Sequence, residues 1–148
     1  MKLDIYKIDA FLEKVFKGNP AAVIPLEQWL PNNTMQNIAC ENNLSETAFF
    51  IPAKKGYHIR WFIPKSEVKL CGHATLASAY VIFNILNENS NEIVFDSLSG
   101  ELSVIKSGNL FILNFPIQKP VRCEVPKKLI ESLGKIPVSC YRNEDDLA

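Results

Sequence analysis

The sequence predicts an α+β fold in which a curved, mostly antiparallel sheet wraps around one central apolar helix. Three observations carry this. The stretch "CGHATLASAYVIFNIL", residues 71–86, has helical spacing but almost no polar face, so other elements must cover it. The segments on either side alternate apolar and polar residues, or run apolar for a short distance and stop at Pro or Gly, as strands do. The last of them are joined by turns of a few residues, which favours antiparallel neighbours because a parallel pair needs a crossover of about a dozen residues or more.

Taken in order, "KLDIYKIDAF" and "NPAAVIPL" flank the turn "KGNP" and form a hairpin-like pair. In "LPNNTMQNIACENN", Met35, Ile38 and Ala39 share a helical face. Asn33 can cap the start with Gln36 three residues on, and Asn42 and Asn43 suit the stop, giving a short amphipathic helix over about 33–41. "TAFFIP" and "YHIRWFIP" follow as strands, the second with Tyr57, Ile59, Trp61 and Ile63 on one face. The apolar helix then runs from Gly72 to about Asn87. "EIVFDS", "ELSVIKS" and "LFILNF" make a meander with turns at "LSG" and "SGN". "PIQKPVRCEVP" has three prolines, mixed charge and no period, so it reads as a linker, followed by a short helix in "KKLIESLG" and a strand in "PVSCYR". The expected organisation is one lobe over 1–118, then a linker and the start of a second lobe over 119–148.

Sixteen basic and sixteen acidic residues leave no excess charge to attract a polyanion, so no nucleic-acid partner is expected. Charges interrupt the N-terminus every few residues, which argues against a signal peptide. The longest apolar run, Leu76 to Leu86, contains Ser78 and Asn84 and falls short of the roughly 20 residues of a membrane span. A cytoplasmic location is the resulting expectation. There Cys40, Cys71, Cys123 and Cys140, with no CxxC spacing, would stay reduced and serve as core filler. With His58 and His73 as the sole imidazoles and no closely spaced ligand pairs, no metal site is expected.

Two places can carry chemistry. The first backbone N–H groups of the apolar helix have no intrahelical partner and sit at the positive end of its dipole. "CGHAT" can therefore seat a carboxylate or phosphate, with Gly72 leaving room and Thr75 offering a hydroxyl. The plainer alternative is that Gly72 permits a tight entry turn and His73 satisfies a backbone group. Cys71 is either a thiol activated by the helix terminus or an inert core residue. The second place is "ENNLSETAFF". Glu46, flanked by Ser45 and Thr47 in the connection before a very apolar strand, is suited to acid–base work if its carboxylate is held against apolar side chains, and is otherwise a solvent-facing loop residue. Ser45 lacks the GxSxG elbow of a hydrolase nucleophile. Asn19, beside Gly18, either stabilises its turn or reaches a ligand.

"DAFLEKVFKGNPAAVIPLEQWLP", "NNLSETAFFIP", "IRWFIPKSEVKLCGHATLASAYVIF" and "SLSGELSV" resemble, in this order and spacing, the N-terminal half of the phenazine-biosynthesis PhzF-like isomerase/epimerase family, from Met1 to about Pro120. The resemblance implies one lobe of the two-lobed diaminopimelate epimerase-like fold, with the active site in a cleft between lobes. It also implies proton transfer on small amino- or carboxyl-bearing molecules without metal or organic cofactor. Glu46 matches the family's catalytic glutamate, with Ser45 beside it. Gly72, His73, Ala74 and Thr75 match the substrate-holding "GHAT", and Asn19 matches the asparagine of its GNP turn. Cys71 is a secondary candidate, since related racemases use a cysteine there as a base. Lys69 departs from the acidic residue many members carry just before this motif. No "DPVTGSA"-like segment of a second lobe is found, so a truncated chain is expected. It would bind a small-molecule substrate and form a homodimer or pair with a separately encoded second lobe.

Overall fold

The computed structural model describes residues 2–12, 14, 16–117 and 119–143. It divides into two compact units, residues 1–116 and 117–148.

Eight strands of the first unit form one curled sheet. β1 (Tyr6–Ala10) pairs antiparallel with β2 (Asn19–Pro25), as the hairpin reading expects. α1 (Asn32–Asn42) then crosses over, so β3 (Glu46–Pro52) joins β2 in parallel. β4 (Tyr57–Phe62) returns antiparallel to β3, and the two-residue β5 (Glu67–Val68) folds back on β4. The central helix α2 (Gly72–Tyr80) provides the second crossover, placing β6 (Glu92–Ser97) parallel to β4. β7 (Gly100–Ser107) and β8 (Leu110–Asn114) complete an antiparallel meander. The sheet is thus mixed but mostly antiparallel, and its two parallel pairs lie where a helix supplies the necessary crossover.

The strands bury two faces. Ala21 and Val23 of β2, Ala48 and Phe50 of β3, and Ile59 and Trp61 of β4 point into the curl, where α2 contributes Ala74, Ala77 and Ala79. Ile24, Phe49 and Phe62, on the opposite face, pack with Met35 and Ala39 of α1. β3 is covered on both faces, which is why "TAFF" reads as an unbroken apolar run rather than an alternation. At Val81–Ile85 α2 widens into a π turn, with the Leu86 N–H bonded to the Val81 carbonyl five residues back. Phe83 of that turn stacks on Phe111 of β8 at a centroid distance of 5.7 Å and an interplanar angle of 6°. The wrap is incomplete: Tyr80, Ile85 and Leu86 remain exposed, although the Tyr80 ring meets Phe111 of β8 edge-on.

Several local expectations are corrected. α1 begins at Asn32 after Pro31, and no side chain caps it. Gln36, expected to close a capping box with Asn33, instead donates its amide to the Ile63 carbonyl at 2.9 Å. The stop is as expected, with Asn43 in the left-handed region at φ 48°. Cys40 is exposed rather than core.

The second unit holds β9 (Val121–Arg122), α3 (Lys127–Leu133) and β10 (Tyr141–Arg142). β9 and β10 pair antiparallel, and the Cys123 N–H donates to the Cys140 carbonyl at 2.9 Å. The expected linker therefore carries a strand, formed by a pairing across α3 that has no local signature. The strand expected in "PVSCYR" shrinks to the two residues of β10, and residues 144–148 lie outside the described residues.

Candidate active site

Glu46 is the first residue of β3, not a loop residue, and it stands opposite Ala21 in the β2–β3 register. Its backbone is thereby held in the sheet while its side chain faces the N-terminus of α2. Cys71 precedes that helix in extended conformation, at φ −149° and ψ 114°. His73, the second residue of that helix, is 9% exposed.

These residues converge. His73 Nε2 lies 3.1 Å from Glu46 Oε2 and 3.3 Å from Ser45 Oγ, while its Nδ1 lies 3.4 Å from Cys71 Sγ. The imidazole therefore touches a carboxylate and a hydroxyl on one side and a thiol on the other. Its contact with Glu46 is close but lacks the alignment of a hydrogen bond, so buried Oε2 accepts none among the described residues.

Ser45 Oγ also lies 3.2 Å from the Pro20 carbonyl and 3.4 Å from Asn19 Oδ1. It thus ties the start of β2 to the imidazole. Thr75 is fully buried, and its hydroxyl donates back to the Cys71 carbonyl, away from the mouth. Ala74 is likewise fully buried. Of the candidates, then, Asn19, Ser45, Glu46, Cys71 and His73 are brought together, while Ala74 and Thr75 support the helix entry from within. Gly72 borders the site from the side of Phe115, whose ring would lie 3.4 Å from a Cβ added there. Phe115 was not among the sequence candidates, because an aromatic after a strand carries no signal of its own.

Burial pushes the Cys71 thiol up to about 12. The Ala74 N–H, donating to the sulfur, lowers it, and the neighbouring Glu46 charge raises it further. Desolvation of the thiolate outweighs the helix terminus, and Cys71 is a protonated thiol at neutral pH. The surface hollows beside Tyr57 and Glu88, of about 390 Å³, and beside Ile8, Leu76 and Tyr80, of about 210 Å³, contain none of these five residues. Neither brings a carboxylate, an imidazole and a thiol together as the helix mouth does, so the mouth is the better candidate.

A family profile described as phenazine biosynthesis-like protein matches residues 8–136. An uncharacterized isomerase of Pseudomonas aeruginosa is 46% identical over 147 residues, covering 99% of this chain and 57% of its own length. An uncharacterized isomerase of Halalkalibacterium halodurans is 45% identical over 148 residues, covering 99% of this chain and 56% of its own. The crystal structure of a PhzF-family phenazine biosynthesis protein from Enterococcus faecalis superimposes with a TM-score of 0.84 at 47% identity, over 99% of this chain and 56% of that one. The chain spans about half the length of these relatives. With a profile match over most of its length and a shared curled lobe, the chain belongs to the phenazine biosynthesis-like PhzC–PhzF family.

Proposed function

We propose that this chain contributes the acid/base half of an isomerase or epimerase active site, with Glu46 moving a proton on a small amino- or carboxyl-bearing substrate. The observation that carries the reading is the buried, unbonded Oε2 of Glu46 facing His73. A carboxylate oxygen with no internal hydrogen bond is free to accept a proton from carbon, and the same carboxyl can return it elsewhere on the substrate. His73 Nε2–H and the Ser45 hydroxyl would orient the polar groups of the substrate, with Asn19 holding Ser45 and the Gly72 backbone leaving room for close approach. Cys71, a buried protonated thiol, is the weaker base. The relatives named as isomerases support the reaction class. Four thiols without a disulfide among them suit the reducing cytoplasm.

The test is solvent-deuterium incorporation into a panel of small amino and carboxylic acids, followed by proton NMR in an active assembly. Glu46→Gln should lower exchange by at least ~100-fold, the scale of a lost general acid/base, while Cys71→Ala keeps most of it. The opposite pattern would overturn the assignment. A second reading rests on the share of its relatives that the chain covers: alone, it is inert, and it works only against a second copy or a separately supplied second lobe. Turnover by strictly monomeric chain would exclude it.

A further inference from the structure

We propose that Cys123 and Cys140 form a dithiol site for reversible oxidation, closing to a disulfide by exchange with a low-molecular-weight disulfide of the glutathione class. Their sulfurs lie 3.5 Å apart. In the β9–β10 register Arg122 stands opposite Tyr141, so one further step sets Cys123 opposite Cys140, and the Cys123 N–H donates to the Cys140 carbonyl at 2.9 Å. Residues directly opposite in an antiparallel pair point to the same face with Cα atoms about 4.5–5.5 Å apart. A disulfide spans Cα separations of about 4.4–6.8 Å, so closure needs the side chains to turn and the sulfurs to approach to about 2.05 Å, with no change of register.

The two thiols differ in access, which sets the order of events: Cys123 is half-buried and Cys140 buried. The Cys123 thiol loses its proton to solvent, and its thiolate attacks one sulfur of the small disulfide. That S–S bond breaks, a mixed disulfide forms on Cys123 and one small thiolate leaves. The Cys140 thiolate, its proton likewise given to solvent, then attacks the Cys123 sulfur and displaces the second small thiolate. Two protein thiols are thereby oxidised by two electrons, and one small disulfide is reduced to two small thiols. The surroundings make this bond consequential. α3 buries none of its residues, β9 and β10 hold two residues each, and Val121, Leu133, Ile136 and Val138 are exposed. Elements that bury so little apolar surface gain most from a covalent staple. The disulfide would close the loop of residues 124–139, which carries α3. That same helix hides the pair from any search for CxxC spacing. The reduced pair is the form held in reducing surroundings, and the bond forms as the ratio of small disulfide to small thiol rises.

The site is independent of the proposed reaction, because it uses none of the residues at the mouth of α2. The experiment uses the full chain carrying Cys40→Ser, which removes the exposed thiol that would otherwise take up glutathione. The reduced protein is equilibrated with glutathione buffers of rising oxidised fraction, quenched with acid and mapped by mass spectrometry. The expected product is a Cys123–Cys140 disulfide that dithiothreitol reverses, with Cys71 left as a free thiol. Adding Cys140→Ser should stop the reaction at a glutathione adduct on Cys123. Circular dichroism checks the fold of that variant, and Cys123→Ser, which should leave buried Cys140 unmodified, serves in its place. Exchange of the Cys123 amide proton should slow on the order of 100-fold in the disulfide form, as closure of a loop of about fifteen residues implies, and recover on reduction. A glutathione adduct that persists on Cys123 with Cys140 intact overturns the proposal. So do thiols that stay unmodified in the most oxidising buffer, a disulfide that joins Cys71 to either residue, and an exchange rate that oxidation leaves unchanged.

Discussion

With its thiol pushed up to about 12, Cys71 is thiolate in only about one part in ten thousand at pH 8, since each pH unit below the midpoint costs a factor of ten. Iodoacetamide at that pH should therefore label exposed Cys40 and spare Cys71 on peptide mapping, with Cys71 labelling rising about tenfold per pH unit toward 12 while the fold persists. Ready alkylation of Cys71 at pH 8 would mean that the helix terminus, not burial, governs the sulfur. Individual residues were the most legible level of the sequence. Glu46, Ser45, His73, Cys71 and Asn19 all stand in short, unusual stretches, and the resemblance singled out the same positions. Their mutual geometry was not legible, because it joins residues 19, 45, 46, 71 and 73 across two strands and a helix entry. The inward turn of Thr75 was equally hidden: a hydroxyl near a helix start can face a ligand or the preceding carbonyl, and only packing decides between them.

Elements were legible where their signals are local. The hairpin, the meander and both helices of the first unit follow from period and turn residues. The Asn33–Gln36 cap failed because Gln36 found a carbonyl 27 residues away, a competitor that no local rule contains. Two turns and one ion pair give predictions at this scale. Gly56, between β3 and β4, has φ +70°, and an added Cβ would stand 2.0 Å from the Val94 carbonyl oxygen. Gly100, the first residue of β7 at its turn from β6, has φ +92° but open space around it. Gly56→Ala should therefore destabilise by more than about 3 kcal/mol, and Gly100→Ala by only about 1–2 kcal/mol of left-handed backbone cost, in urea denaturation. Equal costs would show that the Val94 contact relaxes. Arg60 of β4 forms a two-bond fork with Glu67 of β5, both contacts at 2.7 Å, while its guanidinium lies over Trp29 and Phe62. A point charge cannot reproduce that plane, so Arg60→Lys should recover less than half of the roughly 1–3 kcal/mol lost in Arg60→Ala.

For the whole first unit, the apolar helix decided the architecture: a helix without a polar face needs a sheet that closes on it. Ile82 is fully buried in that core, whereas Leu110 on the edge strand β8 is 72% exposed. Ile82→Ala should cost about 2–5 kcal/mol and Leu110→Ala under about 0.5 kcal/mol, read from shifts in the urea midpoint. The strand order could not be read from pattern alone, because the β2–β3 and β4–β6 neighbours are chosen by how far each helical crossover carries the chain. That same order fixes the tempo of the site. Glu46 begins a strand hydrogen-bonded to β2 on one side and β4 on the other. Its main chain cannot wander as a loop would, and the neighbouring β3 amides should trade protons with water only when the sheet itself opens. The carboxylate thus has a stationary mount, and whatever motion positions it arises from rotation of its own side chain against His73.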